Sequence, residues 1–165
     1  MELAAGLRKI CSYEKICRPD VLESVLSLAC EIVQNGGEAH STGALFTIGR
    51  ADDVLACSRP LILNPLRGYS PDVTAINNPD IRGTIKALAQ LDGAFVITDD
   101  GAVVAACRYI DVPTGDVRVP LGLGTRHVAA AALSRQLGVI AVAVSQTGVI
   151  RVFFNGEIVE SVSPL

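Results

Sequence analysis

Apolar positions at helical spacing open the chain. They predict a first helix over residues 3–11 and a second helix that begins at Pro19-Asp20, where the Asp20 side chain can cap it. The glycines that follow Asn35 end the second helix. These two helices carry no evident chemistry, so we interpret residues 1–36 as a structural layer or a dimer contact.

Two pairs of short apolar runs predict β-hairpins. In the first, Ala44–Ile48 and Val54–Cys57 are joined by a polar turn. In the second, residues 93–98 and 102–108 are joined by Asp-Asp-Gly. A shift of fifty residues brings part of the first pair onto the second, which leaves open a duplicated unit.

Between the hairpins, residues 64–71 are rich in proline and glycine and predict a loop, ordered by packing of Tyr69. Asn78-Pro79 then starts a third helix with Ile81, Ile85 and Leu88 facing inward. This helix delivers the chain to Asp92.

The last third of the chain again contains a predicted helix followed by predicted strands. An alanine-rich apolar run at 128–133 predicts a helix, and runs at 139–145, 149–154 and 158–162 predict strands joined by tight turns. Strands that alternate with helices and then close in hairpins favour an α/β fold, a mixed β-sheet flanked by helices. At 165 residues, the chain fits a single domain over residues 1–165.

Composition narrows the function classes. Half of the residues are hydrophobic, yet no apolar run approaches the ~20 residues of a membrane span. The N-terminus lacks a secretory signal, so we expect a soluble, cytoplasmic protein. The net charge of −3 argues against a broad nucleic-acid-binding surface. The five cysteines contain no Cys-x-x-Cys spacing and predict reduced core thiols.

A glycine-rich loop enters the alanine-rich helix. Residues 121–127 read Leu-Gly-Leu-Gly-Thr-Arg-His, so Gly124 lets the backbone approach a ligand and Thr125 can cap the first turn. Backbone N–H groups at a helix start bind phosphate, and Arg126 and His127 add donors there. The alternative is an ordinary helix N-terminus with a surface arginine and a solvated histidine.

A carboxylate stands before a strand about thirty residues upstream, in Asp92-Gly93-Ala94. The alternative here is a turn residue. Together with Gly124-Thr125-Arg126-His127, this motif resembles the two signatures of the diadenylate cyclase (DisA-type) family, whose members condense two ATP molecules into cyclic di-AMP. The resemblance runs from about Lys86 to Glu157, and it implies the fold of that family's nucleotide-binding domain.

The chain departs from the family pattern at three positions. Val128 stands where the family commonly has a second arginine, Ala129 where it often has threonine, and Gln146 where it commonly has glutamate. We interpret these changes as marks of a subfamily, of the kind found in archaeal members. Arg108, Arg118 and Arg151 are the candidates to replace the missing cation.

The resemblance implies a role for each site residue. Asp92 would hold a Mg²⁺ or Mn²⁺ ion and ease the proton from the attacking hydroxyl, while Arg126 and His127 would complete the catalytic set. The ATP-binding residues implied are Gly93, Ile110, Gly124, Thr125, Arg126, His127 and Ser145. For His127, a structural role is the alternative. Tyr109 could stack on the adenine or lie at the rim of the core.

Because one such site holds one ATP, the resemblance also implies two protomers face to face, at least a homodimer. Two other functions remain open. One is a noncatalytic adenine-nucleotide-binding sensor module, suggested by Val128 and Gln146. The other is a structural or interaction domain in which Asp92 and Arg126 bind nothing.

Overall fold

The computed structural model describes residues 4–13, 15–35 and 43–164. Leu3 and the glycines after Asn35, which figure in the predicted ends of the first two helices, lie outside this part of the chain. The helices are α1 (Ala5–Tyr13), α2 (Pro19–Asn35), α3 (Ala51–Ala56), α4 (Pro79–Leu88) and α5 (Thr125–Leu137). The strands are β1 (Ala44–Ile48), β2 (Ser58–Pro60), β3 (Ala94–Ile97), β4 (Val103–Ile110), β5 (Ile140–Val144), β6 (Ile150–Phe154) and β7 (Glu157–Val162).

All seven strands form one mixed sheet in the order β2-β4-β3-β1-β5-β6-β7. β1 lies near the middle, parallel to β3 and antiparallel to β5. The remaining neighbours pair antiparallel. The predicted α/β fold with a mixed sheet flanked by helices is confirmed.

One face of the sheet packs against α1, α2 and α4. The large side chains of the central strands point to this side, and the rings of Phe46 and Phe95 stack with centroids 5.0 Å apart. Ile81 and Ile85 of α4 join the same core, as predicted. Asn78 caps α4 by accepting a hydrogen bond from the Asp80 N–H at 3.0 Å.

Beneath α5, the other face carries mostly alanines, together with Leu45 and Phe153. Ala94, Ala141 and Ala143 of the sheet meet Ala130 and Ala131 of the helix. Because alanine side chains are short, α5 can lie close against the strands. The alanine-rich composition therefore fixes the N-terminus of α5 near the sheet surface.

The predicted first hairpin is wrong. Residues 51–56 form helix α3, and Cys57 ends it. Both sides of β1 are occupied by β3 and β5, so the chain leaves the sheet after Ile48 instead of turning back beside it. Asp52 and Asp53 lie in the first turn of α3, where their negative charges interact favourably with the positive end of the helix dipole and stabilise the helix. A duplicated unit is not supported, because the matching residues 104–107 lie in a strand.

Two local predictions also need correction. Pro19 takes the first position of α2, which suits its fixed φ, so Asp20 lies inside the first turn rather than at the cap, and its carboxylate pairs with Arg18 at 3.3 Å. The loop at 64–71 is present, but the Tyr69 side chain is 61% exposed and does not order it by packing.

All five cysteines are free thiols, as predicted. Cys11, Cys17 and Cys107 are buried, while Cys30 and Cys57 are half-buried. Burial raises the pKa of the Cys30, Cys57 and Cys107 thiols, which favours their neutral form. Among the described residues, no helix has the length and apolar character needed to cross a membrane.

Candidate active site

The residues singled out in the sequence meet at one end of the sheet. β1 and β3 run parallel with Leu45 beside Ala94, so the residues that precede them, Gly43 and Asp92-Gly93, lie at the same end. β5 runs the opposite way, and Ala44 pairs with Val144, which brings Ser145 to this end as well. We call this the motif end of the sheet.

Asp92 lies at the motif end and is accessible to solvent. Its side chain is exposed and makes no hydrogen bond or ion pair with any other residue that the structure describes. The carboxylate is therefore available to a proton or a metal ion. The described residues hold no group of three His, Cys, Asp or Glu side chains that could bind a metal by themselves.

The close approach of the β4 backbone requires glycine at position 93. Its φ is +108°, and a Cβ there would lie 2.5 Å from the Cys107 carbonyl carbon and 2.7 Å from the Arg108 nitrogen. Cys107 itself has a positive φ of 59°, where the β3–β4 register shifts. Gly93 thus lets β3 approach a bulge in β4, which fixes the position of the neighbouring Asp92.

α5 begins at the motif end without a side-chain cap. Gly124 is the N-cap residue, Thr125 is the first helical residue, and no side chain caps the turn, so the predicted capping by Thr125 is wrong. The Gly124 carbonyl accepts hydrogen bonds from the N–H groups of His127 and Val128. The earlier N–H groups of the turn have no intrahelical partner, which is the arrangement that binds anions.

The Arg126 guanidinium lies over Gly43, the buried residue that precedes β1. A Cβ at residue 43 would overlap the guanidinium, so only glycine at this position leaves room for the Arg126 side chain. Arg126 forms no ion pair or hydrogen bond with the rest of the described chain. No described residue neutralises the charge of this half-buried guanidinium.

His127 is buried, with 4% of its surface exposed, and its ring meets Phe153 edge-on at 6.2 Å between centroids. Burial lowers its pKa, and the nearby charges of Arg151 and Arg126 lower it further. The neutral ring can then accept a hydrogen bond at Nε2 from Arg151 Nη1, 3.3 Å away. The alternative of a solvated histidine is wrong.

Ser145 and Ile110 lie in ordinary structural settings. The Ser145 Oγ is 2.8 Å from the Thr147 Oγ1 and accepts from the Val149 N–H at 3.0 Å, which closes the turn between β5 and β6. Ile110 ends β4, and its side chain packs on the α5 side of the sheet. The strand register places both residues at the motif end.

Tyr109 is 45% exposed, and the Arg59 guanidinium lies 4.7 Å from the centroid of its ring. One face of the ring is therefore occupied by a cation from β2. Of the three arginines proposed to replace a missing cation, Arg108 is held by Ser58 and the Leu55 carbonyl, and Arg118 is exposed in a loop. Within the described chain, Arg151 alone of the three makes a side-chain hydrogen bond to a motif residue, His127.

Cavities occur at the other end of the sheet. One of about 280 Å³ lies beside the start of α2 and the turn at Asp100-Gly101, and one of about 210 Å³ lies between the loop at 64–71 and the start of β4. Neither includes a motif residue. At the motif end, Asp92, Gly124 and Thr125 are exposed.

Sequence reasoning missed Gly43 and gave Arg151 no preference. The shift of fifty residues does align Gly43-Ala44 with Gly93-Ala94, but it indicates a duplicated unit and does not connect Gly43 with the site. The contact between Arg151 and His127 joins residues on β6 and α5 that no local spacing relates. Only the sheet order brings them together.

Two curated relatives are similar over most of this chain. A diadenylate cyclase from Methanocaldococcus jannaschii is 44% identical over 144 residues, which are 87% of this chain and 45% of the relative. A diadenylate cyclase from Haloferax volcanii is 35% identical over 147 residues, 88% of this chain and 54% of the relative. Both organisms are archaea. The chain spans about half the length of the curated relatives it matches.

Solved structures support the fold. A hypothetical membrane spanning protein from Bacillus cereus superposes with a TM-score of 0.63 at 19% identity, covering 96% of this chain and 69% of that one. DacA from Staphylococcus aureus, in an N166C/T172C double mutant, superposes with a TM-score of 0.54 at 23% identity and covers 88% of both chains.

A family model described as DisA bacterial checkpoint controller nucleotide-binding matches residues 32–158, which include both signature motifs, strands β1 to β6 and the first two residues of β7. The sequence signatures, the sheet order and the family match agree: this chain belongs to the DAC family.

Proposed function

We propose that this chain is a diadenylate cyclase domain, which condenses two ATP molecules into cyclic di-AMP and releases two pyrophosphates. The observation that carries the proposal is the meeting of an unpaired carboxylate, Asp92, and an unneutralised cation, Arg126, at one open end of the sheet. The similarity to two diadenylate cyclases over most of this chain supports it.

The reaction asks for three things from the protein. A ribose 3′-oxygen attacks the α-phosphorus of the other nucleotide, the bond to pyrophosphate breaks, and the hydroxyl proton leaves. The uncapped start of α5 and Arg126 would bind the phosphates through N–H groups. Asp92 would accept the proton or orient the hydroxyl, either directly or through water.

The donor set at the motif end fits a Mg²⁺ or Mn²⁺ ion that arrives with ATP. Such ions are commonly held by one or two carboxylates together with substrate phosphates and water, and Asp92 supplies one exposed carboxylate. The ion would neutralise phosphate charge as the leaving group departs. His127 is engaged with Arg151 and Phe153, so we assign it to positioning rather than to metal binding.

Ile110, Gly124, Thr125 and Ser145 would complete the nucleotide site through contacts at its edge. Gly124 leaves the backbone uncovered at the helix start, and Thr125 places an exposed hydroxyl beside it. Because cyclic di-AMP needs two mutual attacks, two protomers would face each other, each with one ATP. The exposed residues at the motif end, Asp92, Gly124 and Thr125, would face that second copy.

The test is a product assay on the purified chain. Incubation with ATP and Mg²⁺ or Mn²⁺ should give cyclic di-AMP, identified by mass, and omission of the metal should stop it. Thermal stabilisation by ATP without any product would instead support a noncatalytic sensor module, the function suggested by Val128 and Gln146. Absence of both would contradict nucleotide binding altogether.

A further inference from the structure

A second arginine lies close to the start of α5. Ala94, Leu45, Ala143 and Arg151 are partners in register across four neighbouring strands. The first three are buried beneath α5, and Arg151 contacts His127 of that helix, so it shares their face. Arg151 thus lies in the row that begins next to Asp92-Gly93, roughly 14 Å from it at three strand spacings.

Arg151 has a fixed position and spare hydrogen-bonding capacity. Its Nη1 lies 3.3 Å from the His127 Nε2, the one side-chain bond it makes within the described chain. A guanidinium carries five N–H donors, so most of them are left for another acceptor. The neutral His127 ring holds the group in place without neutralising its charge.

No carboxylate balances this charge among the described residues. Arg151 belongs to no ion pair there, and the nearby Glu160 pairs with Val152, whose side chain faces the opposite side of the sheet. Arg126, which directly precedes His127, also has no ion pair within the described chain. Its charge, like that of Arg151, lowers the pKa of the His127 ring. Two half-buried guanidiniums thus lie near His127 with no carboxylate among the described residues to balance them.

A purely structural role explains less. A neutral donor such as an asparagine amide would satisfy the His127 ring without a partly buried charge. The cation is useful if an anion is to arrive, and the start of α5 is where the proposed function puts the phosphates of ATP.

We propose that Arg151 is a second phosphate-binding cation of the nucleotide site, and that His127 is the positioning residue that aims it. The inference rests on the proposed function for the location of the phosphates. The inference also accounts for Val128. Helix α5 has no arginine at that position, and Arg151 of β6 supplies a cation beside the same helix.

The test compares ligands with and without phosphate. Dissociation constants for ATP and for adenosine are measured on the wild-type chain, Arg151→Ala, Arg151→Lys and the control Arg67→Ala. Arg67 is an exposed arginine at the other end of the sheet with no side-chain bond in the described chain. Arg151→Ala should weaken ATP binding about 10- to 100-fold and leave adenosine binding unchanged. Arg151→Lys should restore part of the loss, and Arg67→Ala should change neither ligand.

Equal losses for ATP and adenosine, or no loss for either, would overturn the inference. The positioning role of His127 is tested by a double-mutant cycle: His127→Gln should weaken ATP binding in the wild-type background but have little further effect in Arg151→Ala. Additive losses would overturn that role.

The outcomes separate this inference from the function it rests on. A chain that binds ATP through Arg151 yet forms no cyclic di-AMP would refute the cyclase and keep the inference. A chain that forms cyclic di-AMP with Arg151→Ala unchanged in ATP affinity would keep the cyclase and refute the inference.

Discussion

At the scale of single residues, the candidate site depends on charges that the chain leaves unpaired. Asp92 is exposed and free of partners within the described chain, whereas Arg126 is half-buried over Gly43. A folded protein gains little from either arrangement, since an unpaired charge contributes no ion-pair energy and burial of a cation costs free energy. Both charges are therefore available to a ligand, as the proposed function requires.

Asp92→Asn should lower cyclic di-AMP formation by about 100-fold or more, because the amide can neither accept the hydroxyl proton nor bind a divalent ion well. The fold should persist, since the carboxylate is exposed. Product is measured by mass spectrometry and the melting temperature by calorimetry. Wild-type turnover with the same metal dependence would exclude Asp92 from the chemistry.

Arg126→Ala should weaken ATP binding by about 1.5–3 kcal/mol, the usual value of a charge-assisted hydrogen bond. Gly43→Ala should weaken ATP binding too, because its Cβ would overlap the guanidinium and displace it. Gly83→Ala, in α4 outside the site and with nothing within 4 Å of the added Cβ, is the control for a glycine-to-alanine change and should leave ATP binding unchanged. Titration calorimetry gives all three affinities, and an unchanged affinity in Arg126→Ala would return Arg126 to a surface role.

Protonation of His127 should destabilise the fold as the pH falls. Its pKa is lowered in the folded state, so the unfolded chain takes up the proton first, near pH 6.5. Stability is full above that pH and decreases below it, before carboxylates such as Glu31, whose pKa is lowered mainly by its bond to Lys86, begin to titrate.

Urea unfolding from pH 7.5 to 5.5 measures this effect. His127→Gln should lose that part of the pH dependence, and His40→Gln, which removes the chain's other histidine, should retain it. The same slope in wild type and His127→Gln would show that another group is responsible.

At the scale of helices and strands, local patterns predicted most elements, and non-local contacts decided the rest. The predictions for α2, α4, α5 and the last three strands follow from apolar period and turn residues, and the structure confirms them. Residues 54–57 carry the apolar pattern of a strand, but residues 54–56 lie in α3 and Cys57 ends that helix, since β3 and β5 are the neighbours of β1. The burial of His127 depends on Phe153, which no helical pattern can reveal.

Two glycines in different elements should respond oppositely to alanine. Gly93→Ala should cost more than about 2 kcal/mol of stability, because a positive φ costs about 1–3 kcal/mol and the Cβ overlaps the β4 backbone. Gly83→Ala, in α4 with open space around the added Cβ, should stabilise by about 0.5–1 kcal/mol. Denaturant unfolding compares them, and equal effects would contradict the role of Gly93 at the bulge.

At the scale of the whole molecule, Asp92, Gly124 and Thr125 are exposed at the motif end, while helices pack on both faces of the sheet. A second protomer placed against this end would enclose two ATP molecules between two sets of signature residues. The proposed cyclase thus predicts that assembly and activity are linked, since a lone protomer would bind ATP without closing the ring.

Specific activity should therefore rise with protein concentration where dimers form. Mixing wild-type chains with Asp92→Asn chains should also yield heterodimers that join two nucleotides by one bond and accumulate the linear product. Light scattering and product analysis by mass measure both effects. Constant specific activity with a monomer throughout would refute the face-to-face arrangement.

The central place of β1 governs when the protein can fold during synthesis. Ala44 pairs with Val144, so β1 has an open edge until β5 has left the ribosome. Gly43, Asp92 and Ser145 meet only when that pairing forms, and pairings between distant segments form slowly. A nascent chain that ends before β5 should therefore be digested readily by protease, and nucleotide binding should be among the last properties that the growing polypeptide acquires.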